Sequence, residues 1–127
     1  MGLLDGLLGN ASDVDIDELK EELEPVLYEG EEIRLAFKVI RDKYIFTESR
    51  LILIDIQGMT GKKREYLTIP YKSIVRFSVE TSGHFDMDSE LKIWLSGMSE
   101  PMVKEFKGGD NITNVQKALA AGMFGKA

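Results

Sequence analysis

Few side chains in this sequence have types and spacing that suit chemistry. His84 is the single histidine, and it sits in the loop Ser82-Gly83-His84-Phe85. A general base needs an orienting partner and a pocket. With one histidine in a loop, no Ser/His/Asp set can be nominated, and a solvated side chain is the better reading. Asp86, Asp88 and Glu90 alternate, and oxygen ligands at such spacing suit Ca²⁺. The full twelve-residue calcium loop, with its glycine and terminal glutamate, is missing. A turn followed by a charged strand entry accounts for them, so no metal is assigned. Lys62, Lys63 and Arg64 follow one another, and with Lys43 they are the candidate ligands for a phosphate or an anionic lipid head group. A basic patch of that kind ordinarily holds four to eight residues; this run has three and is followed by Glu65, as a solvated hairpin tip would be. Gly58 and Gly61 lack the following helix and the Lys-Ser/Thr pair of a nucleotide loop. The sequence therefore nominates no catalytic residue, no cofactor and no enzyme activity.

The composition narrows the class further. The chain has 127 residues, enough for one domain with a real core. Hydrophobic residues make up 43% and charged residues 30%, which excludes a disordered chain. Cysteine is absent, so no disulfide or thiolate metal site exists, and a reducing cytoplasm is compatible. The formal net charge is −6, the wrong sign for nucleic acid and for general attraction to anionic lipid. No apolar run approaches the ~20 residues of a membrane span. Met1 to Leu8 carries no Lys or Arg and does not read as a secretory signal. Gly6 stands where a myristoylation motif wants Ser or Thr. The expected location is cytoplasmic.

The elements that position these residues follow from hydrophobic period. Leu3, Leu4, Leu7 and Leu8 share one helix face, and Gly9-Asn10 breaks it. A second helix starts near Ser12-Asp13, with Ile16, Leu19 and Leu23 as its stripe, and Pro25 and Gly30 close the region. From residue 31 the period is two. Ile33, Leu35, Phe37 and Val39 alternate with polar neighbours, a half-buried strand. Arg41-Asp42-Lys43 reads as the first hairpin turn. Tyr44 and Phe46, then Leu51 to Ile56, then Glu65 to Ile69 give three more strands, and Pro70 punctuates. Val75, Phe77 and Val79 share one face of the fifth. Leu91, Ile93 and Leu95 oppose Lys92 and Trp94 in the sixth, and Met102 to Phe106 is the seventh. Ile112, Val115, Leu119 and Met123 form one helical face at the end, with Gly122 and Gly125 weakening and ending it.

The expected fold is mainly β: a seven-stranded antiparallel barrel or sandwich capped by a C-terminal helix. It makes one domain, 1–127, with a helical extension over 1–28 and the β-rich body over 31–124. One anomaly stands out. In the third strand Leu51 and Leu53 point one way and Ile52, Ile54 and Ile56 the other. A small barrel has one core face, so the second face needs cover. Trp94, opposite Leu91, Ile93 and Leu95, poses the same question. Either the N-terminal helices cover these residues, or another subunit does, since exposed apolar patches mark interaction sites. The leucine stripe of residues 3–8 has three readings: packing on the barrel, membrane-interface contact, or partner contact. Interfacial helices ordinarily carry Lys and Arg and this one carries Asp5, which favours packing or subunit contact.

The strings Phe46-Thr47-Glu48-Ser49-Arg50-Leu51-Ile52-Leu53-Ile54-Asp55 and Gln57-Gly58-Met59-Thr60-Gly61-Lys62-Lys63 resemble the bacterial pleckstrin-homology domain family. So do Ile69-Pro70-Tyr71-Lys72-Ser73-Ile74, Phe77-Ser78-Val79-Glu80-Thr81, and Asp86-Met87-Asp88-Ser89-Glu90-Leu91-Lys92-Ile93-Trp94. The resemblance implies seven strands with a C-terminal helix, ring-like homo-oligomers and no catalytic residues. It does not carry lipid binding with it, because the first hairpin is short and has an acid at its middle. The expectation is a non-catalytic interaction module that forms a homo-oligomer through Ile52, Ile54, Ile56, Trp94, Leu3, Leu4, Leu7 and Leu8, with a further protein partner as a possibility. The alternative is a peripheral binder of anionic lipid or phosphate using Lys43, Lys62, Lys63 and Arg64.

Overall fold

The computed structural model describes residues 14–84, 87–109 and 111–125. The leucines at 3, 4, 7 and 8, the Ser12-Asp13 cap and Asp86 lie outside them. Helix α1 spans Ile16–Glu22 and is capped by Asp15, whose carboxylate accepts from the amides of Asp17 and Glu18. Seven antiparallel strands follow: β1 (Ile33–Val39), β2 (Asp42–Thr47), β3 (Arg50–Gln57), β4 (Lys63–Pro70), β5 (Ile74–Thr81), β6 (Ser89–Leu95) and β7 (Met102–Phe106). A 3-10 turn, Tyr71–Ser73, joins β4 to β5, and helix α2 (Ile112–Phe124) ends the described chain. The strands form two sheets, β1-β2-β3-β4 and β5-β6-β7, not a closed barrel.

Alternation decides what is inside. Leu35, Phe37, Val39, Tyr44, Phe46, Leu51 and Leu53 face inward from the first sheet and meet Leu91, Ile93 and Phe106 of the second. The rings of Tyr44 and Phe106, 5.5 Å apart, join the sheets. The predicted helical stripe closes the core, with Ile112, Val115 and Leu119 fully buried.

Two local readings need correction. The first turn is Ile40-Arg41, because Val39 pairs directly with Asp42, so Asp42 and Lys43 belong to β2. Ile40 takes φ 60 there, a strained conformation for a β-branched residue. In β5 the register slips between Ile74 and Arg76. That irregularity turns Val75 outward, where it is 59% exposed, instead of into the core with Phe77 and Val79.

Gly122 does more than weaken α2. A Cβ there would stand 2.5 Å from the Tyr71 ring. That ring is buried, and its hydroxyl donates to the Thr47 carbonyl at 2.6 Å. Burial pushes the Tyr71 phenol far above its ordinary pKa. Ala gains about 1 kcal/mol of helix propensity over Gly, whereas overpacking costs about 1–3 kcal/mol. Gly122→Ala is therefore expected to lower the thermal midpoint despite its better propensity; a rise would show that α2 does not press on Tyr71 in solution.

Candidate functional site

The doubly apolar third strand is explained within the chain. Ile45, Ile52 and Ile54, on the outer face of the first sheet, are fully buried under Leu19 and Leu23 of α1 and its C-cap. Ile56 packs at the border of this cluster and is half-buried. Ile52 and Ile54 are thus core residues and cannot touch a partner while α1 is docked. The apolar stripe of α1 is the sequence signal for this cover.

A carboxylate holds the helix down. Glu22 accepts from Lys43 Nζ at 3.4 Å, from the Tyr66 hydroxyl at 2.9 Å, and from Arg64 Nη1. Burial raises its carboxyl, but the Tyr66 hydrogen bond and the Lys43 and Arg64 charges outweigh that and hold it below the usual glutamate range. The consequence for the predicted basic patch is direct. Lys43 and Arg64 are engaged with Glu22, while Lys62 and Lys63 stand exposed near the β3–β4 loop. Two of the four cations, Lys43 and Arg64, thus share one carboxylate of the chain itself.

A second network ties the chain between α1 and β1 to the sheet. The Glu31 side chain is wholly buried and takes a two-pronged hydrogen bond from Arg50: Nη2 to Oε1 at 2.7 Å and Nε to Oε2 at 2.8 Å. Thr47 Oγ1 and the Tyr28 amide also donate to it. Arg50 in turn donates to the Val26 carbonyl and to Thr68 Oγ1. Burial alone would raise the Glu31 carboxyl; hydrogen bonds from Arg50, Thr47 and the Tyr28 amide hold it below its ordinary value. Every partner comes from this chain, so the network fixes the fold and offers no reactive group. His84 is exposed in the β5–β6 loop. Among the described residues, no cluster of three or more metal-ligating side chains forms, and no helix is long and apolar enough to cross a membrane.

Among the described residues, no helix covers the outer face of the second sheet. The side chains on its outer face alternate with the core residues of the same strands: Arg76, Ser78 and Glu80 on β5, then Glu90, Lys92 and Trp94 on β6, then Val103 and Glu105 on β7. All are exposed or half-buried. Arg76 and Trp94 pair across the strands, and the guanidinium carbon sits 4.3 Å from the ring centroid, a cation–π stack. Among the described residues, Trp94 is thus partly covered by one exposed arginine. The stack was not legible in sequence, because the cross-strand register that places 76 beside 94 is a non-local property of the β5–β6 pair.

Known proteins resemble this chain over most of its length. A family model described as "Bacterial PH domain" matches residues 2–123. The uncharacterized protein YjqA of Bacillus subtilis strain 168 is 58% identical over 122 residues, 95% of this chain and 98% of that one. YozO of the same organism, also uncharacterized, is 34% identical over 99 residues, 78% of this chain and 84% of its own. The crystal structure of a pleckstrin homology domain from Shewanella amazonensis SB2B superposes with a TM-score of 0.85 at 56% identity, covering 98% of this chain and 100% of that one. A DUF1696 family protein with a pleckstrin-homology domain from Shewanella loihica PV-4 gives 0.74 at 50% identity, covering 89% and 97%.

Proposed function

Because this chain belongs to the bacterial PH domain family, we propose that it is a non-catalytic, cytoplasmic interaction module that self-assembles into a homo-oligomer. Its contact surface is the outer face of β5-β6-β7. One observation supports the reading: a helix of the chain covers the outer face of its first sheet, while among the described residues no helix covers Trp94 and Val103 on the outer face of the second. Tryptophan and arginine dominate the energetics of interfaces, above all when they sit near the centre of a patch. Trp94, on the central strand, has Arg76 stacked on it. The net charge of −6 argues against nucleic acid. The reading as a lipid binder keeps only Lys62 and Lys63 of its four cations, fewer than such patches use.

The test is solution mass by light scattering across a concentration series. A multiple of 14.3 kDa is expected for the wild type. Trp94→Ala is expected to weaken assembly by at least about thirtyfold, the effect of losing an interface anchor worth about 2 kcal/mol. A wild type that stays monomeric at high concentration would sink the reading.

A further inference from the structure

Where β5 and β7 end and β6 begins, the second sheet carries an open cleft of about 350 Å³, at the small end of the range of ligand pockets. Two neighbouring rungs of the sheet line it. In the first, Glu80 stands opposite Glu90 and Glu90 opposite Glu105, so three glutamates lie abreast. Like charges directly opposite one another destabilise a sheet. Lys92 meets the middle one, Glu90, at 3.9 Å; Glu80 and Glu105 form no ion pair among the described residues. In the second rung, Ser89 stands between Thr81 and Phe106. Asp88 adds a fourth carboxylate, fixed at the cleft by the Gly108 amide, which donates to its Oδ1 at 2.8 Å. Against these four acids the lining sets one cation, Lys107.

Acidic residues abreast on a surface are by themselves ordinary; Ser89 is what marks a site. Its side chain is 8% exposed, and its hydroxyl oxygen is buried with no hydrogen-bond partner among the described residues. A buried polar group left unmade costs free energy, and alanine at this position would avoid that cost. A hydroxyl in the wall of an acidic cleft is an acceptor for an N–H donor. The geometry points to a small linear polyamine as the ligand. Its ammonium groups pair with the glutamate row, its methylene chain lies along the wall that Thr81 and Phe106 contribute, and one N–H donates to Ser89 Oγ. A point cation fits less well, because among the described residues no three carboxylates close around one position. An extended basic peptide is out of step with the row: its same-face side chains repeat at about 6.6 Å, whereas neighbouring strands, and so their carboxylates, repeat at about 4.8 Å. The inference is independent of the self-assembly reading, since neither Trp94 nor Val103 lines the cleft.

Calorimetric titration of the full chain with spermidine tests it, at physiological ionic strength, where loose attraction between exposed charges is largely screened. Saturable binding of one spermidine per chain is expected. Ser89→Ala is expected to weaken it about tenfold or more, the effect of losing a hydrogen bond to a charged donor. The same variant is expected to hold or raise the thermal midpoint of the free protein, because an unpaired buried hydroxyl is removed. Glu90→Gln takes the middle charge from the row and is expected to weaken binding at least as much. Glu100→Gln removes the same charge from the exposed turn between β6 and β7, at the other end of the sheet, and is expected to leave binding unchanged. No saturable binding by the wild type, undiminished affinity in Ser89→Ala, or equal losses in Glu90→Gln and Glu100→Gln would overturn the inference. A fall in the Ser89→Ala midpoint would overturn it too, by showing that the hydroxyl already serves the fold. Tighter binding of Ca²⁺ or of trilysine than of spermidine would replace the polyamine by a point cation or a basic peptide.

Discussion

Arg50→Ala is expected to lose about 3–5 kcal/mol of folding stability, the cost of leaving one member of a buried ion pair without the other. For a chain of this size that is a fall in Tm on the order of 10 °C or more. The reason lies in where Glu31 sits. Its side chain is wholly buried, and Arg50 supplies two of its hydrogen bonds and its counter-charge. Without Arg50 the carboxylate keeps only Thr47 Oγ1 and the Tyr28 amide. The loss also frees the Val26 carbonyl from Arg50 Nη2, so the tether between α1 and β1 loosens at both ends. The effect has a definite pH dependence. In the wild type the folded-state pKa of Glu31 is lowered. Its contribution is therefore complete above the unfolded value, about 4.3, and is lost as pH falls through the folded value. In the variant, burial without a counter-charge acts in the opposite sense, and protonation relieves the penalty. The gap in Tm between wild type and variant should be widest near neutrality and close below about pH 4. Thermal melts of both proteins from pH 7 to pH 3 measure it; a gap that stays constant would mean that the pair's charge is not what holds the tether.

Most of the framework could be read from the sequence because period is a local property. The alternation from Ile33 to Val39, the split of Leu51 and Leu53 from Ile52 and Ile54, and the stripe Ile112, Val115, Leu119 need no knowledge of distant residues. All seven strands and α2 form within about two residues of where period placed them, β4 starting at Lys63 rather than Glu65. What escaped is non-local. Glu22 meets Arg64 and Tyr66 across 42 and 44 residues, and nothing in the run Lys62-Lys63-Arg64 signals that its last member is already engaged. The Glu31–Arg50 pair spans 19 residues and looks in sequence like two ordinary surface charges. Single-residue shifts escaped as well. The turn at Ile40-Arg41 requires a β-branched residue at positive φ, against propensity, and the slip after Ile74 reverses Val75 without altering the pattern of the letters.

Leu23→Ala is expected to cost about 2–5 kcal/mol, as large-to-small changes at fully buried sites do. Leu23 is 0% exposed and ends α1, over Ile45, Ile52 and Ile54. With seven residues, α1 is too short to hold together without tertiary contacts, so its packing and the Glu22 clamp are what keep it in place. Loss of Leu23 weakens the packing and leaves the clamp, which alone cannot shield an isoleucine-rich sheet face from water. Two consequences can be measured. Amide hydrogen exchange should quicken in residues 16–27 while the β5-β6-β7 sheet keeps its protection. The variant should also bind a hydrophobic dye and form larger, irregular species as the outer face of the first sheet is exposed. That outcome would separate the two apolar surfaces by role: exposure of Ile52 and Ile54 would yield disordered association, whereas the assembly proposed above would use the face bearing Trp94. If Leu23→Ala left stability, exchange and mass unchanged, a contact other than α1 would have to cover that face, and a partner subunit over Ile52 and Ile54 would return as the explanation.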